Sequence, residues 1–166
     1  MIKLRTATAA FLHNNGSYLL MKRSEQKRIA PNVWSGVGGH MEQHELNNPY
    51  EACCREIEEE TGITGDDIKS LELLYIIVRM KNADEIYHTY VYFGETMKTE
   101  TIQTDEGTLH WIPEGELLDR EYTKTFAAML RHYTARRPND RRVYVGAAGN
   151  DSGKLAMNWT LLEDFD

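Results

Sequence analysis

The chain has 166 residues, of which 41% are hydrophobic and 10% aromatic, a composition that suits one folded domain with its own core and argues against a disordered segment. Its formal net charge of −7 excludes nucleic-acid polymers and acidic membrane surfaces as first partners, so an anionic ligand needs a local device such as a metal ion. No apolar run reaches about 18 residues, the opening MIKLRTATAAFLH lacks the apolar stretch of a signal peptide, and the only cysteines, Cys53 and Cys54, are adjacent, so a reduced, cytoplasmic setting is expected.

Thr6 to His13 reads as a strand, Asn14-Asn15-Gly16 as a turn and Ser17 to Arg23 as a second strand, together a hairpin. A polar loop leads to the short segment Val33 to Val37 and the pair Gly38-Gly39. Asn48 is a good N-cap, Pro49 suits the first helical position, Glu51 stands where a capping-box acid belongs and Gly62 can end the helix, so a helix is predicted from about Pro49 to Thr61. Leu71 to Met80 and Ile86 to Phe93, joined by Lys81 to Glu85, read as a longer hairpin. Thr108 to Ile112 is a short strand, and Thr123 to Tyr133 carries Phe126, Met129 and Leu130 at helical spacing. The tail holds two more strand-like runs, RRVYVGAA and KLAMNWTLL, around the turn-rich Gly149 to Gly153. Mixed strands with two separate helices predict an α/β sandwich. Residues 1–166 read as a single domain, with a core of about 4–134 and a C-terminal hairpin extension over 135–166. The basic pairs Lys22-Arg23, Lys27-Arg28, Arg136-Arg137 and Arg141-Arg142 read as solvated charges.

From Gly38 to Ile63 the sequence is GGHMEQHELNNPYEACCREIEEETGI, with seven glutamates in 26 residues. At about 100° per residue, Tyr50, Cys53, Cys54, Ile57 and Thr61 share an arc that suits packing on a sheet, and Glu56, Glu59 and Glu60 share the next one. Glu51, Arg55 and Glu58 fall on a third arc, facing solvent or the preceding loop. Carboxylates three and four residues apart repel. A hard divalent cation such as Mg²⁺, which takes oxygen ligands, turns that repulsion into binding, whereas a solvated acidic face is the reading without a metal. Gly38-Gly39 can bring a bare backbone carbonyl close to the same ion. Arg55 lies four residues from both Glu51 and Glu59 and can also reach back to Glu45; alone it reads as an exposed ion pair of small worth.

This segment resembles the Nudix box, G-x5-E-x7-R-E-U-x-E-E-x-G-U, with U a bulky aliphatic residue. Gly39, Glu45, Arg55-Glu56-Ile57, Glu59-Glu60 and Gly62-Ile63 fill its fixed positions. Nine residues, Leu46 to Cys54, separate Glu45 from Arg55 where the pattern has seven, and His44 stands where the family often has glycine. The leading hairpin, Leu19-Leu20-Met21-Lys22-Arg23 and the late Glu106-Gly107 before Trp111 are similar to the MutT-type arrangement, so the resemblance covers roughly residues 4 to 134.

The resemblance implies a Nudix-type α/β/α sandwich with a mixed sheet and a hydrolase that works with Mg²⁺ or Mn²⁺. Glu56, Glu59 and Glu60 would hold the ion with the Gly38 carbonyl, and Glu45 would orient Arg55. Arg23 resembles a phosphate-contacting arginine, with a strand-end surface charge as the other reading, and Gly38 and Gly39 border the substrate. Glu106 is a further ligand or the general base, or else a solvated turn residue. His40 and His44 either touch substrate or are simply exposed, and Cys53 and Cys54 read as small core residues. The implied substrate is a small-molecule nucleotide. A nucleoside triphosphate is the leading choice, an oxidised one such as 8-oxo-dGTP included, with monophosphate and pyrophosphate as products. No proline lies between Pro49 and Pro113, unlike family members that prefer ADP-ribose, and Tyr122-Thr123-Lys124 offers no base-reading asparagine. The alternative is a non-catalytic Nudix-fold nucleotide or dinucleotide sensor acting through a protein partner.

Overall fold

The computed structural model describes residues 1–26, 31–136 and 140–165. Strand β1 (Lys3–Asn14) buries side chains of both parities, Ala9 and Phe11 on one face and Ala10 and Leu12 on the other. A strand of that kind needs cover on both sides, which places it inside a sheet layered by helices. The other strands are β2 (Ser17–Arg23), β3 (Trp34–Ser35), β4 (Ile68–Lys81), β5 (Glu85–Thr96), β6 (Gly107–Pro113), β7 (Tyr144–Asp151) and β8 (Lys154–Leu161). They form one mixed sheet in the order β3-β2-β1-β5-β4-β7-β8, with β6 paired to β2.

The first hairpin is shorter than the sequence suggests. β1 and β2 pair only from Leu12↔Leu19 to Asn14↔Ser17, whereas β1 runs parallel to β5 from Lys3↔Glu85 to His13↔Glu95. The first half of β1 takes a different neighbour on its other side, the segment Val37 to Met41, through Ala10–Val37, Thr8–Gly39 and Thr6–Met41 backbone bonds of 2.6–3.0 Å.

Helix α1 (Pro49–Thr61) buries Cys53 and Ile57 against Ala10, Leu12, Leu19 and Tyr92 on one face of the sheet. Helix α2 (Lys124–Ala135) buries Met129 and Leu130 against Phe11, Tyr75, Val91 and Phe93 on the other. The result is the α/β/α sandwich. Helix α1 has the predicted ends: the Asn48 side chain accepts from the Glu51 N–H, and Gly62 closes it at φ +73°. The capping box is only half formed, because the Asn48 N–H donates to the Glu45 carbonyl instead of to the Glu51 side chain. The buried arc is also rotated from the expected one. Ala52 and Glu60 are buried, while Tyr50 is exposed and Cys54 half-buried.

The C-terminal hairpin continues the main sheet, since β7 runs parallel to β4 from Tyr75↔Tyr144 to Arg79↔Ala148. Trp159 of β8 lies over Gly146, where a Cβ would collide with the indole, and meets Tyr75 and His132 at 5.3 and 4.8 Å. The basic residues here are engaged in ion pairs: Arg136 and Arg142 with Asp140, and Arg141 with Glu72. Lys27, Arg28 and Arg137 lie outside the described residues. Among the described residues, no helix is long and apolar enough to cross a membrane.

Candidate active site

The segment beside β1 positions everything that follows. Its alternation turns the Val37 and Gly39 carbonyls toward β1, and the intervening Gly38 N–H points the other way, donating to Glu60 Oε2 at 2.9 Å. Gly38 requires glycine, because its φ is +152° and a Cβ there would strike the Thr8 carbonyl, while a Cβ on Gly39 would lie 2.6 Å from the Glu56 carboxylate and push that side chain out of its place.

Arg55 binds the loop to the helix. Its Nε and Nη2 hold both oxygens of Glu45 at 2.7 and 2.9 Å, Nη1 donates to Glu56 at 2.9 Å and Glu59 at 3.0 Å, and Nη2 also reaches the His40 carbonyl at 3.2 Å. Glu51 is not among these partners. Glu45 is only 3% exposed, and the arginine fork holds its carboxyl well below the usual range, at about 2. The extra two residues of the loop therefore leave the Glu45–Arg55 contact intact. A turn through Leu46 and Asn47, closed by the Asn48 N–H donating to the Glu45 carbonyl at 2.7 Å, carries the chain from Glu45 to α1, and a 3₁₀ turn over Gln43–Glu45, in which the Glu42 N–H donates to the Glu45 carboxylate at 2.8 Å, precedes it.

Glu56, Glu59 and Glu60 line one cavity of about 520 Å³ with Arg23, Gly38, Gly39, His40 and Glu106. Their environments differ. Glu59 is 59% exposed at its side chain, whereas Glu60 is 8% exposed and burial pushes its carboxyl up to about 7 against the Gly38 hydrogen bond, with Glu56 and Glu106 adding to the rise. Burial also raises Glu56, with Arg55 opposing. Arg23 lies near enough to Glu60 to counter part of that rise, and its Nε is buried with no acceptor among the described residues. Glu106 sits across the cavity, its carbonyl accepting from the Ser24 N–H at 3.1 Å.

Among the described residues, no three His, Cys, Asp or Glu side chains converge as a ready ligand cage. Arg55 draws Glu56 and Glu59 onto one nitrogen, and Glu60 turns to the Gly38 amide, a partition that like charge favours. His44 is exposed, lies 3.4 Å from Glu42 and does not line the cavity. Cys53 is fully buried and its thiol is pushed far up by burial, so it is a core residue with no thiolate to offer.

Sequence reasoning missed the other walls: Ala7, Thr8, Tyr87, Thr89, Thr104 and Phe126. Tyr87 stacks under the Arg79 guanidinium at 4.4 Å, and the His40 ring lies 6.4 Å away. The helical spacing of Phe126 was the one available signal, and it reads equally well as core.

The family model described as the NUDIX domain matches residues 3–137. Over 61 residues the chain is 39% identical to the nucleoside triphosphatase NudI of Enterobacter sp. (strain 638), a stretch covering 37% of this chain and 42% of that relative. The match thus spans less than half the relative's length. Among solved structures, the chain is similar to the MutT protein from Bacillus halodurans, with a TM-score of 0.73 and 21% identity over 95% of this chain and 97% of that one. It is also similar to a MutT NUDIX hydrolase from Burkholderia pseudomallei, with a TM-score of 0.62 and 26% identity over 78% and 97% of the two chains. These likenesses concern the fold.

Proposed function

The chain belongs to the NUDIX domain family, and from that premise we propose that it is a metal-dependent hydrolase that cleaves a nucleoside triphosphate to a monophosphate and pyrophosphate. The observation that carries this reading is one cavity in which Glu56, Glu59 and Glu60 gather with Arg23 on the same wall. Acids and a base so placed suit a cation and a phosphate chain respectively. A triphosphate is favoured by the partial likeness to a nucleoside triphosphatase.

The donor set fits Mg²⁺ or Mn²⁺: Glu56, Glu59, Glu60 and the Gly38 carbonyl are hard oxygen ligands, and two of the acids already share one arginine nitrogen. When bound, such an ion supplies charge neutralisation at the phosphates and lowers the pKa of water. The chain's own residues do the rest. Arg23, on the cavity wall, supplies positive charge for a phosphate oxygen, Arg55 and Glu45 fix where Glu56 and Glu59 stand, and Gly38-Gly39 allow the phosphate chain close to the backbone. Tyr87 and Phe126 wall the cavity and suit the nucleoside. Glu59, open to solvent, and Glu106, across the cavity, are the carboxylates placed to accept the proton of the attacking water.

Hydrolysis in ¹⁸O-labelled water with Mg²⁺ tests this. The label is expected in monophosphate or pyrophosphate, with no orthophosphate released. Glu59→Gln should lower kcat by about 100-fold or more at unchanged fold, and comparison of its pH–rate profile with that of Glu106→Gln identifies the base. Orthophosphate as the sole phosphate product would reject the mechanism. Tight nucleotide binding without turnover under any divalent metal would favour the sensor.

A further inference from the structure

We propose that Arg79 and Lys81 are positioning residues: from behind the cavity wall they hold the Tyr87 ring in place as the platform on which the substrate's nucleoside stacks, an inference that rests on the nucleotide reading given above. Tyr87 lines the cavity and neither cation does. Both reach the ring from β4. Arg79 stands directly opposite Tyr87 in the antiparallel β4–β5 ladder with its guanidinium 4.4 Å over the ring, and the Lys81 ammonium lies 5.1 Å from the ring centroid and 3.4 Å from the phenol oxygen. A half-buried tyrosine on a strand otherwise divides its time among rotamers, and each cation contact removes part of that freedom before a ligand arrives.

The two faces of the ring have different neighbours. Arg79 takes the face turned toward β4, and the other is turned toward β1, the side on which the cavity lies. There the residue paired with Tyr87 is Arg5, and the diagonal neighbour is Ala7, a small residue that itself lines the cavity. His40, bridged to Ala7 on the far side of β1, sets its ring 6.4 Å from that of Tyr87 at 64°. A nucleobase stacks on an aromatic face whatever its identity, so a fixed ring above a small residue offers affinity without choosing the base.

Ion pairing nearby explains why both cations turn to the ring. Glu85 lies opposite Lys81 in the ladder, yet Arg5 holds its carboxylate at 2.6 Å. Among the described residues neither Arg79 nor Lys81 forms an ion pair, and Tyr87 is the partner both share. A guanidinium engaged by a carboxylate elsewhere would leave the ring; free of one, its plane can lie over the phenol.

The test compares KM and kcat for each common nucleoside triphosphate with the inhibition constant of inorganic tripolyphosphate, which carries the phosphates without a nucleoside. Arg79→Met is expected to raise nucleotide KM at least about fivefold with kcat within about twofold of wild type, and to leave the tripolyphosphate constant where it was. In a Tyr87→Ala background Arg79→Met should add no further loss, whereas a guanidinium that touches substrate or attracts it by charge would still act there, and on tripolyphosphate as well. Lys81→Met and Tyr87→Phe delete the two ends of one contact and should raise KM by similar, non-additive factors; they decide alone if circular dichroism shows Arg79→Met misfolded. Arg79→Lys, which keeps a cation over the ring, should restore part of the affinity. If no triphosphate is turned over, the hydrolase reading fails by itself, and isothermal titration calorimetry with nucleoside monophosphates still reads the clamp: Arg79→Met should weaken the tightest of them at least about fivefold. Unchanged nucleotide affinity in Arg79→Met, an equal loss for tripolyphosphate, or a full additional loss in the Tyr87→Ala background would overturn the proposal.

Discussion

Arg55 makes five hydrogen bonds to four residues from a side chain that is 24% exposed, and no other single residue links the Glu45 turn to the acidic face of α1 so directly. An ammonium group keeps the charge but cannot grip both Glu45 oxygens in one plane while bridging Glu56 and Glu59. We expect Arg55→Lys to lower kcat/KM more than tenfold. From sequence, the pair reads as surface charge of little worth, but the burial of Glu45 changes that expectation. Weakening its partner should cost about 1–2 kcal/mol of stability, measured by urea denaturation. Wild-type turnover together with an unshifted midpoint would show that the fork neither aligns the helix acids nor supports the turn.

At the scale of elements, legibility followed the range of the interaction. Helix α1 was legible to the residue because Asn48, Pro49 and Gly62 act within one turn of the chain. Its gathered acids were legible too, since i, i+3 and i+4 spacing is local. The β1–β5 pairing was not: alternation tells which face a side chain takes but not which strand lies beside it, and these two are about 80 residues apart. Ala7 and Thr89, opposite one another in that parallel register, therefore gave no sign that they shape the cavity, nor did Tyr87. The exposure of Tyr50 and burial of Ala52 show a smaller effect, a helix rolled on the sheet so that Glu60 faces inward. The C-terminal hairpin illustrates the same limit, because β7 finds β4 across almost 70 residues and Trp159 joins the α2-side core. We therefore predict that Trp159→Ala destabilises the whole protein by about 3 kcal/mol in one cooperative urea transition. A separate early transition, with the rest unchanged, would make the hairpin an appendage.

Across the whole molecule, two kinds of carboxylate make stability depend on pH in opposite directions. Glu45, bound by Arg55, and Asp140, bound by Arg142 and Arg136, have folded pKa values below their unfolded ones, so they stabilise above about pH 4 and lose that contribution as pH falls. Glu60 has the reverse sign. Its folded value is raised from 4.5 to about 7, so in metal-free buffer its contribution is complete below about pH 4.5 and is lost as pH rises through about 7. That rise corresponds to about 3 kcal/mol, which for a chain of this size is about 8 °C in Tm. With EDTA present, wild-type Tm should therefore peak near pH 5 and decline toward pH 8, and Glu60→Gln, which keeps the shape without the charge, should flatten the decline. Added Mg²⁺ should then raise the wild-type Tm at pH 8 more than that of Glu60→Gln, because only the wild type has the buried charge to neutralise. Scanning fluorimetry across pH 5–8 reads both effects. A decline of equal slope in the two proteins would place the destabilising charge elsewhere, and an equal Mg²⁺ response would mean that the ion is held without Glu60.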